Sequence, residues 1–302
     1  MYKKKFRFKK IDAFATNMSG GNPAGYVWLN SKSDISNDEM QQIAKELKGF
    51  VNEVGFVYKT AKDAFTLRFY SSEREVDFCG HATIAIMYDL ISNSSELLQF
   101  NLLNIETNRG TLVVENRIAT ENSVFIMAPQ PFETHSLPDI GEIAEKLKLD
   151  IDEIDKNFPI AIINAGLSTL IVPIKTLNTT LKILPNLEEL KVFCISKGID
   201  IVEVFTTAVA DKSNNYRTRV FAPTFGYLED PATGSGNSAF GYYLLNNNMW
   251  IGSTISIEQN SFRDRFNIVK LQKKLVENGT ERVFFGGAGI TRFDGEYFLQ
   301  CN

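Results

Sequence analysis

The sequence predicts an α+β protein of two pseudo-symmetric halves, each a mixed sheet rolled around one central helix. Three observations predict it. First, one segment occurs twice. Arg68-Phe69-Tyr70 precedes Cys79-Gly80-His81-Ala82-Thr83, then Ala85, Tyr88 and Leu90; Arg219-Val220-Phe221 precedes Thr233-Gly234-Ser235-Gly236-Asn237, then Ala239, Tyr242 and Leu244. Aligned on Gly80 and Gly234, the Ala, Tyr and Leu positions fall in step, as a duplicated strand–turn–helix unit requires. Second, the helices expected after Gly80 and Gly234 are apolar nearly all round, which marks buried helices. Third, strand signals dominate the rest of the chain.

The elements follow in order. Strands are expected at Lys5–Phe14, Glu53–Tyr58, Phe65–Ser71 and Thr111–Glu115, with Asn108-Arg109-Gly110 as a hairpin turn. The basic cluster from Lys3 to Lys10 alternates with Phe6 and Phe8 and reads as an amphipathic strand. Ser36 and Glu39 have the spacing of a capping box, apolar Met40, Ile43, Ala44 and Leu47 follow at helical spacing, and Gly49 closes that helix. Later helices are expected at Ile140–Leu147 and Leu187–Lys197. Later strands are expected at Ala161–Ile163, Thr169–Pro173, Ile201–Thr206, Tyr216–Phe221 and Thr254–Glu258. The chain closes with Arg282–Phe285, Gly289–Phe293 and Tyr297–Leu299, the last two joined by a hairpin at Asp294-Gly295. The expected halves are 1–118 and 119–292, with a C-terminal strand at about 293–302 returning to the first. No Pro/Gly/Ser linker separates them, so close packing is expected.

Composition narrows the class. The 302 residues suffice for two cores, 44% are hydrophobic and 23% charged, and the net charge is −4. That balance argues against a general nucleic-acid binder. The charge-free run Asn157–Ile174 is near the minimum membrane span, but Pro159, Gly166 and Pro173 punctuate it as two strands around a turn. Cys79, Cys194 and Cys301 are too few and scattered for a disulfide framework or zinc site. A cytoplasmic enzyme without a metal is the expectation.

Several residues have the chemistry of a site. Two helix N-termini, at Gly80 and Gly234, would suit an anion held between them. Glu229-Asp230-Pro231-Ala232-Thr233-Gly234-Ser235-Gly236 sets two acids before a glycine-rich helix start. Its structural alternative is capping by Asp230, Thr233 or Ser235. His81, at the matching position of the first half, is disfavoured as a cation by the helix dipole, so a neutral imidazole is expected. It reads equally as a buried, satisfied histidine. Cys79 reads as a thiolate at a helix N-terminus or as a small apolar filler. Glu53 taken alone reads as a solvated strand-edge residue, and Gly21-Asn22-Pro23-Ala24-Gly25 as a plain turn. Gly286-Gly287-Ala288-Gly289 lacks the helix and lysine of a phosphate loop.

Together these segments resemble the phenazine-biosynthesis PhzF-like family. The resemblance rests on Asp12-Ala13-Phe14 with Gly21–Gly25, Asn52-Glu53-Val54-Gly55-Phe56, Glu75-Val76-Asp77-Phe78-Cys79-Gly80-His81-Ala82-Thr83, and Arg219–Pro223 through Glu229–Ser235. The stretch from Asn116 to Asn215 matches mainly through Asn164-Ala165-Gly166. Gly236-Asn237 departs from the small apolar pair common after the Gly-Ser, and Ser261–Phe266 fits only loosely.

The resemblance implies a diaminopimelate-epimerase-like fold with a cleft between its halves. It implies an isomerase without cofactor or metal, usually a homodimer, acting on a small anionic (carboxylate) substrate and not on nucleic acid or membranes. Glu53 would be the acid/base, with Asp230 and His81 beside it as catalytic groups. Ser235, Gly80, Gly234, Thr233 and Asn22 would bind substrate. The family's type reaction isomerises trans-2,3-dihydro-3-hydroxyanthranilate. Three other readings compete. A two-thiol amino-acid epimerase or racemase would use Cys79 but finds Thr233 where the second thiol belongs. A non-catalytic binding protein would keep the site without turnover. A hydrolase would pair Ser235 with His81 or His135.

Overall fold

The computed structural model describes residues 2–134, 136–276 and 279–301, and it is an α+β protein. Contacts divide it into two units, one of residues 1–15, 20–127 and 286–302, the other of residues 16–19 and 128–285. No described helix is long and apolar enough to cross a membrane. His135 lies outside the described residues.

The first unit begins with β1 (Tyr2–Ala13), β2 (Asn22–Trp28), α1 (Asn37–Glu46), β3 (Glu53–Ala61), β4 (Ala64–Ser71) and β5 (Glu75–Val76). It continues with α2 (Gly80–Ser92), β6 (Leu102–Thr107), β7 (Gly110–Asn116), α3 (Ile118–Glu121) and β8 (Val124–Met127). Phe6 and Phe8 of β1 are buried while Lys5 and Arg7 are exposed, the period-2 pattern that explains the basic cluster. The α1 capping box forms as its spacing predicts. Ser36 Oγ accepts from Glu39 N–H at 3.3 Å and Glu39 Oε2 accepts from Ser36 N–H at 2.8 Å. The boundary expected at 118/119 falls inside this unit, because β8 turns back onto β7 and pairs Val114 with Ile126.

The second unit contains β9 (Phe132–Thr134), α4 (Ile140–Leu147), β10 (Ala161–Asn164), β11 (Ser168–Pro173), α5 (Leu177–Lys182), α6 (Leu187–Lys197), β12 (Ile201–Thr206), β13 (Tyr216–Phe221) and β14 (Glu229–Asp230). Then come α7 (Gly234–Asn246), β15 (Thr254–Gln259), β16 (Asn267–Leu275) and β17 (Glu281–Gly287), and the chain ends in β18 (Gly289–Cys301). The expected hairpin at Asp294-Gly295 does not form. β18 runs unbroken through both residues, antiparallel to β1, with Asp294 opposite Lys9 and Gly295 opposite Phe8. Twelve residues of β1 pair with β18, with one register shift between Lys10 and Ile11, and Arg7 holds the Asp294 carboxylate by two bonds of 3.2 and 2.8 Å. Long-range pairing overrides the local turn preference of Asp-Gly.

Each unit repeats one pairing order. In the first, β2–β3 is parallel, β3–β4 and β4–β5 antiparallel, β4–β6 parallel and β6–β7 antiparallel. In the second, β11–β12 is parallel, β12–β13 and β13–β14 antiparallel, β13–β15 parallel and β15–β16 antiparallel. The helix filling each sheet is buried along most of its length: Ala82 to Met87 in α2, and Gly236 to Leu244 in α7. Asp89 is the charged exception in α2. It accepts from Lys9 at 2.8 Å, Tyr26 at 2.7 Å and Thr291 at 2.7 Å, so the buried carboxylate is compensated.

The duplicated arginines now have a role. Arg68 grips Glu75 through two bonds of 2.8 and 2.7 Å, and Arg219 grips Glu229 through two of 2.9 and 2.8 Å. Each fork ties β4 or β13 to the short strand, β5 or β14, that delivers the chain to a central helix. Planar bidentate geometry is what arginine supplies and lysine does not.

Candidate active site

In the first unit three elements bring chemistry together. Glu53 is the first residue of β3, which lies between β2 and β4, its Cα opposite Ala24 and Ser71. Asn22, 1% exposed, starts β2 next to it. The turn before Asn22 needs a glycine. Gly21 has φ +63°, and a Cβ there would lie 2.7 Å from the Ala13 carbonyl oxygen. Cys79 is the N-cap of α2, followed by Gly80 and His81.

Glu53 is a partly buried member of this cluster, not a solvated edge residue. Its Oε2 sits 3.1 Å from His81 Nε2, with the two side chains 24% and 14% exposed. The contact is a close ion pair when His81 is protonated, and Oε2 is buried and accepts no hydrogen bond. The carboxylate oxygen therefore keeps its lone pairs for a proton from elsewhere. The Cys79 sulfur lies 3.5 Å from His81 Nδ1. Donor atoms of Glu53, Cys79 and His81 all fall within 4.8 Å of one another, the one group among the described residues with the donor types for a metal.

The expectation of a neutral His81 is corrected. Burial opposes the imidazolium, but the Cys79 sulfur and Glu53 carboxylate flanking the ring outweigh it and hold its pKa well above the ordinary histidine value. The helix dipole is not the only field on the ring, because the carboxylate arrives from a strand distant in sequence. Burial pushes the Cys79 thiol up, while the His81 ring beside it pulls the other way. A raised folded-state pKa on a histidine stabilises the protein below the unfolded value of about 6.5, and that contribution is lost as pH rises through the folded value. NMR titration of the His81 ring should therefore show imidazolium at about pH 7 and deprotonation above the usual range. A ring already neutral at that pH would contradict the assignment.

In the second unit Asp230, 9% exposed, ends β14. Its Oδ2 accepts from Thr233 Oγ1 at 2.7 Å, so Thr233, the N-cap of α7, makes no side-chain cap. Gly234 and Ser235 open the helix. A Cβ at Gly234 would meet the Phe285 ring at 2.5 Å. Gln259, which the sequence reading missed, pins the turn. It accepts from Thr233 N–H at 3.0 Å and Asn237 Nδ2 at 2.7 Å, and donates to the Asp230 carbonyl at 2.9 Å. Asn267 donates to the Pro231 carbonyl at 2.7 Å. A signal for Gln259 existed: it follows Ile255 and Ile257 on the buried face of β15, where an apolar residue is the default. Asn237, a departure from the family pattern, is the residue that reaches Gln259.

Among helices of eight residues or more, α1, α4 and α6 carry side-chain caps from Ser36, Asp139 and Asn186, while α2 and α7 carry none. Their first-turn amides sit beside the candidate residues, the arrangement that receives anions.

A profile described as "Phenazine biosynthesis-like protein" matches residues 11–295. The chain belongs to this family. It is 29% identical over 309 aligned residues to an uncharacterised isomerase of Clostridium acetobutylicum, covering 98% of this chain and 99% of that one. It is 27% identical to the trans-2,3-dihydro-3-hydroxyanthranilate isomerase of Pseudomonas chlororaphis, covering 93% and 95%. The crystal structure of a PhzF-family phenazine biosynthesis protein of Bacillus anthracis superposes with a TM-score of 0.84 at 24% identity, covering 99% and 100%. Within this PhzF-like family the chain is an isomerase.

Proposed function

We propose that the protein moves a proton between carbons of a small carboxylate-bearing substrate, with Glu53 as the acid/base. The observation that carries this reading is the buried Glu53 Oε2, free of hydrogen bonds and 3.1 Å from His81 Nε2. The carboxylate takes a proton from an activated C–H. The electron pair shifts through the adjoining unsaturated system, and the resulting glutamic acid returns a proton to another carbon. The step is redox-neutral and leaves Glu53 as it began. His81, positively charged, and the α2 amides at Gly80 stabilise the negative charge that develops. Asp230 is proposed as the second catalytic group, and Thr233, Gly234, Ser235 and Asn22 as substrate-binding residues. The α7 amides favour a carboxylate as the substrate's anionic group. Assembly as a homodimer is part of the same proposal.

The Pseudomonas chlororaphis relative makes trans-2,3-dihydro-3-hydroxyanthranilate the first compound to test, ahead of other unsaturated cyclic carboxylates. NMR in D2O should show enzyme-dependent deuterium at a ring carbon. Exchange confined to Cα of a free amino acid and lost in Cys79→Ala would instead establish the thiol epimerase. That epimerase is disfavoured by the hydroxyl at Thr233, which is committed to Asp230.

A further inference from the structure

Glu203 is a charged-type residue in the middle of the apolar strand β12, and its side chain is fully buried. Neither carboxyl oxygen has a hydrogen-bond partner. It faces α7. A Cβ added to Gly236, in the first turn, would lie 2.8 Å from Glu203 Oε2. In the first unit the register places Gly55 at the matching site, opposite Phe69 as Glu203 is opposite Val220. There the roles reverse: a Cβ on Gly55 would strike Ile86 Cδ1 of α2 at 2.3 Å. The Gly236 departure from the family pattern thus makes room for a carboxyl that the first unit lacks.

We propose that Glu203 is a positioning residue for the first turn of α7, setting how strongly that turn holds a carboxylate ligand according to whether Glu203 carries a proton. The proposal rests on the reading of that turn as an anion site. A protonated carboxyl leaves the dipole of the turn intact. An ionised one places a negative charge against the amides from beneath and competes with the ligand. Burial alone drives Glu203 well above the ordinary carboxylate pKa. The groups facing it are Ile171 of β11, Ile201 and Phe205 of β12, Thr218 and Val220 of β13, Gly236 of α7, and Gln259 of β15. Among the described residues of β11 to β15, Asp230 is the one other charged residue on this face. It sits opposite Val220, so two strand spacings, roughly 10 Å, separate it from Glu203. Arg217, Arg219, Glu229 and Glu258 alternate to the other face.

The test is an acetate titration of the isotope-labelled full chain, read at the Gly234, Ser235 and Gly236 amides from about pH 5 to about pH 9. The Glu203 carboxyl carbon is followed in the same samples. In wild type the acetate affinity should fall about tenfold in step with the Glu203 carboxyl titration, while Glu203→Gln holds acetate equally at both ends. Glu203→Met, which removes the titration without an amide, should also be flat. Matching pH profiles in wild type and both variants, or a wild-type profile out of step with the Glu203 carbon, would overturn the role of Glu203 and leave the anion site standing. Amides that ignore acetate in every form would overturn the anion site, and this proposal with it.

Discussion

Glu53→Gln should lose turnover by about 10²–10⁴-fold, the ordinary worth of a positioned acid/base. The substitution keeps the side-chain volume and removes the titrating carboxyl. Its close partner is the His81 ring at 3.1 Å, and the neutral amide can occupy the same place beside it. The loss should therefore fall on kcat, with KM nearly unchanged and the melting temperature within a few degrees of wild type. The variant also removes the carboxylate that helps hold His81 protonated, so the His81 ring should titrate lower. A drop in activity accompanied by loss of folded structure would show that Glu53 is a packing residue. Full kcat would remove it from the chemistry.

Arg217→Met should destabilise the second unit by about 3 kcal/mol, the usual cost of breaking a buried pair. Arg217 is fully buried and bonds Glu258 Oε2 at 3.0 Å, the Asn260 carbonyl at 3.1 and 2.8 Å, and the Phe262 carbonyl. Burial lowers its pKa, yet Glu258 beside it keeps the guanidinium charged. Removing it strands a buried carboxylate and two main-chain carbonyls. Glu258 retains the Ala210 and Asp211 amides at 2.9 and 2.7 Å, which limits the damage. The effect reaches the site because Gln259, which pins Asp230 and Thr233, lies between Glu258 and Asn260. Urea denaturation measures the loss. A change below about 1 kcal/mol would mean the amides alone satisfy Glu258.

Much of this molecule was legible in its sequence, where the information was local. The α1 cap needed only Ser36 and Glu39 at the right spacing. The two buried helices needed only their apolar runs, and the duplicated arginines marked matching strands. Information carried by register was not legible. Asp294-Gly295 has the composition of a hairpin, and only its pairing with the long β1 holds it extended. Gln259 is visible as a polar residue on an apolar face, but its partners come from β14 and α7. The charge on His81 depends on Glu53 arriving from β3. Glu203 stands out in Ile-Val-Glu-Val-Phe, yet its place beneath Gly236 follows from strand pairing and helix packing together.

The proposed reaction requires Glu53 to carry the proton. Deuterium wash-in from D2O at the reacting carbon of a turned-over substrate, compared between wild type and Glu53→Gln, tests it most directly. Wild type should wash in label during isomerisation and the variant should show none above the uncatalysed rate. Label entering at the wild-type rate in the variant would place the proton on another group and contradict the account.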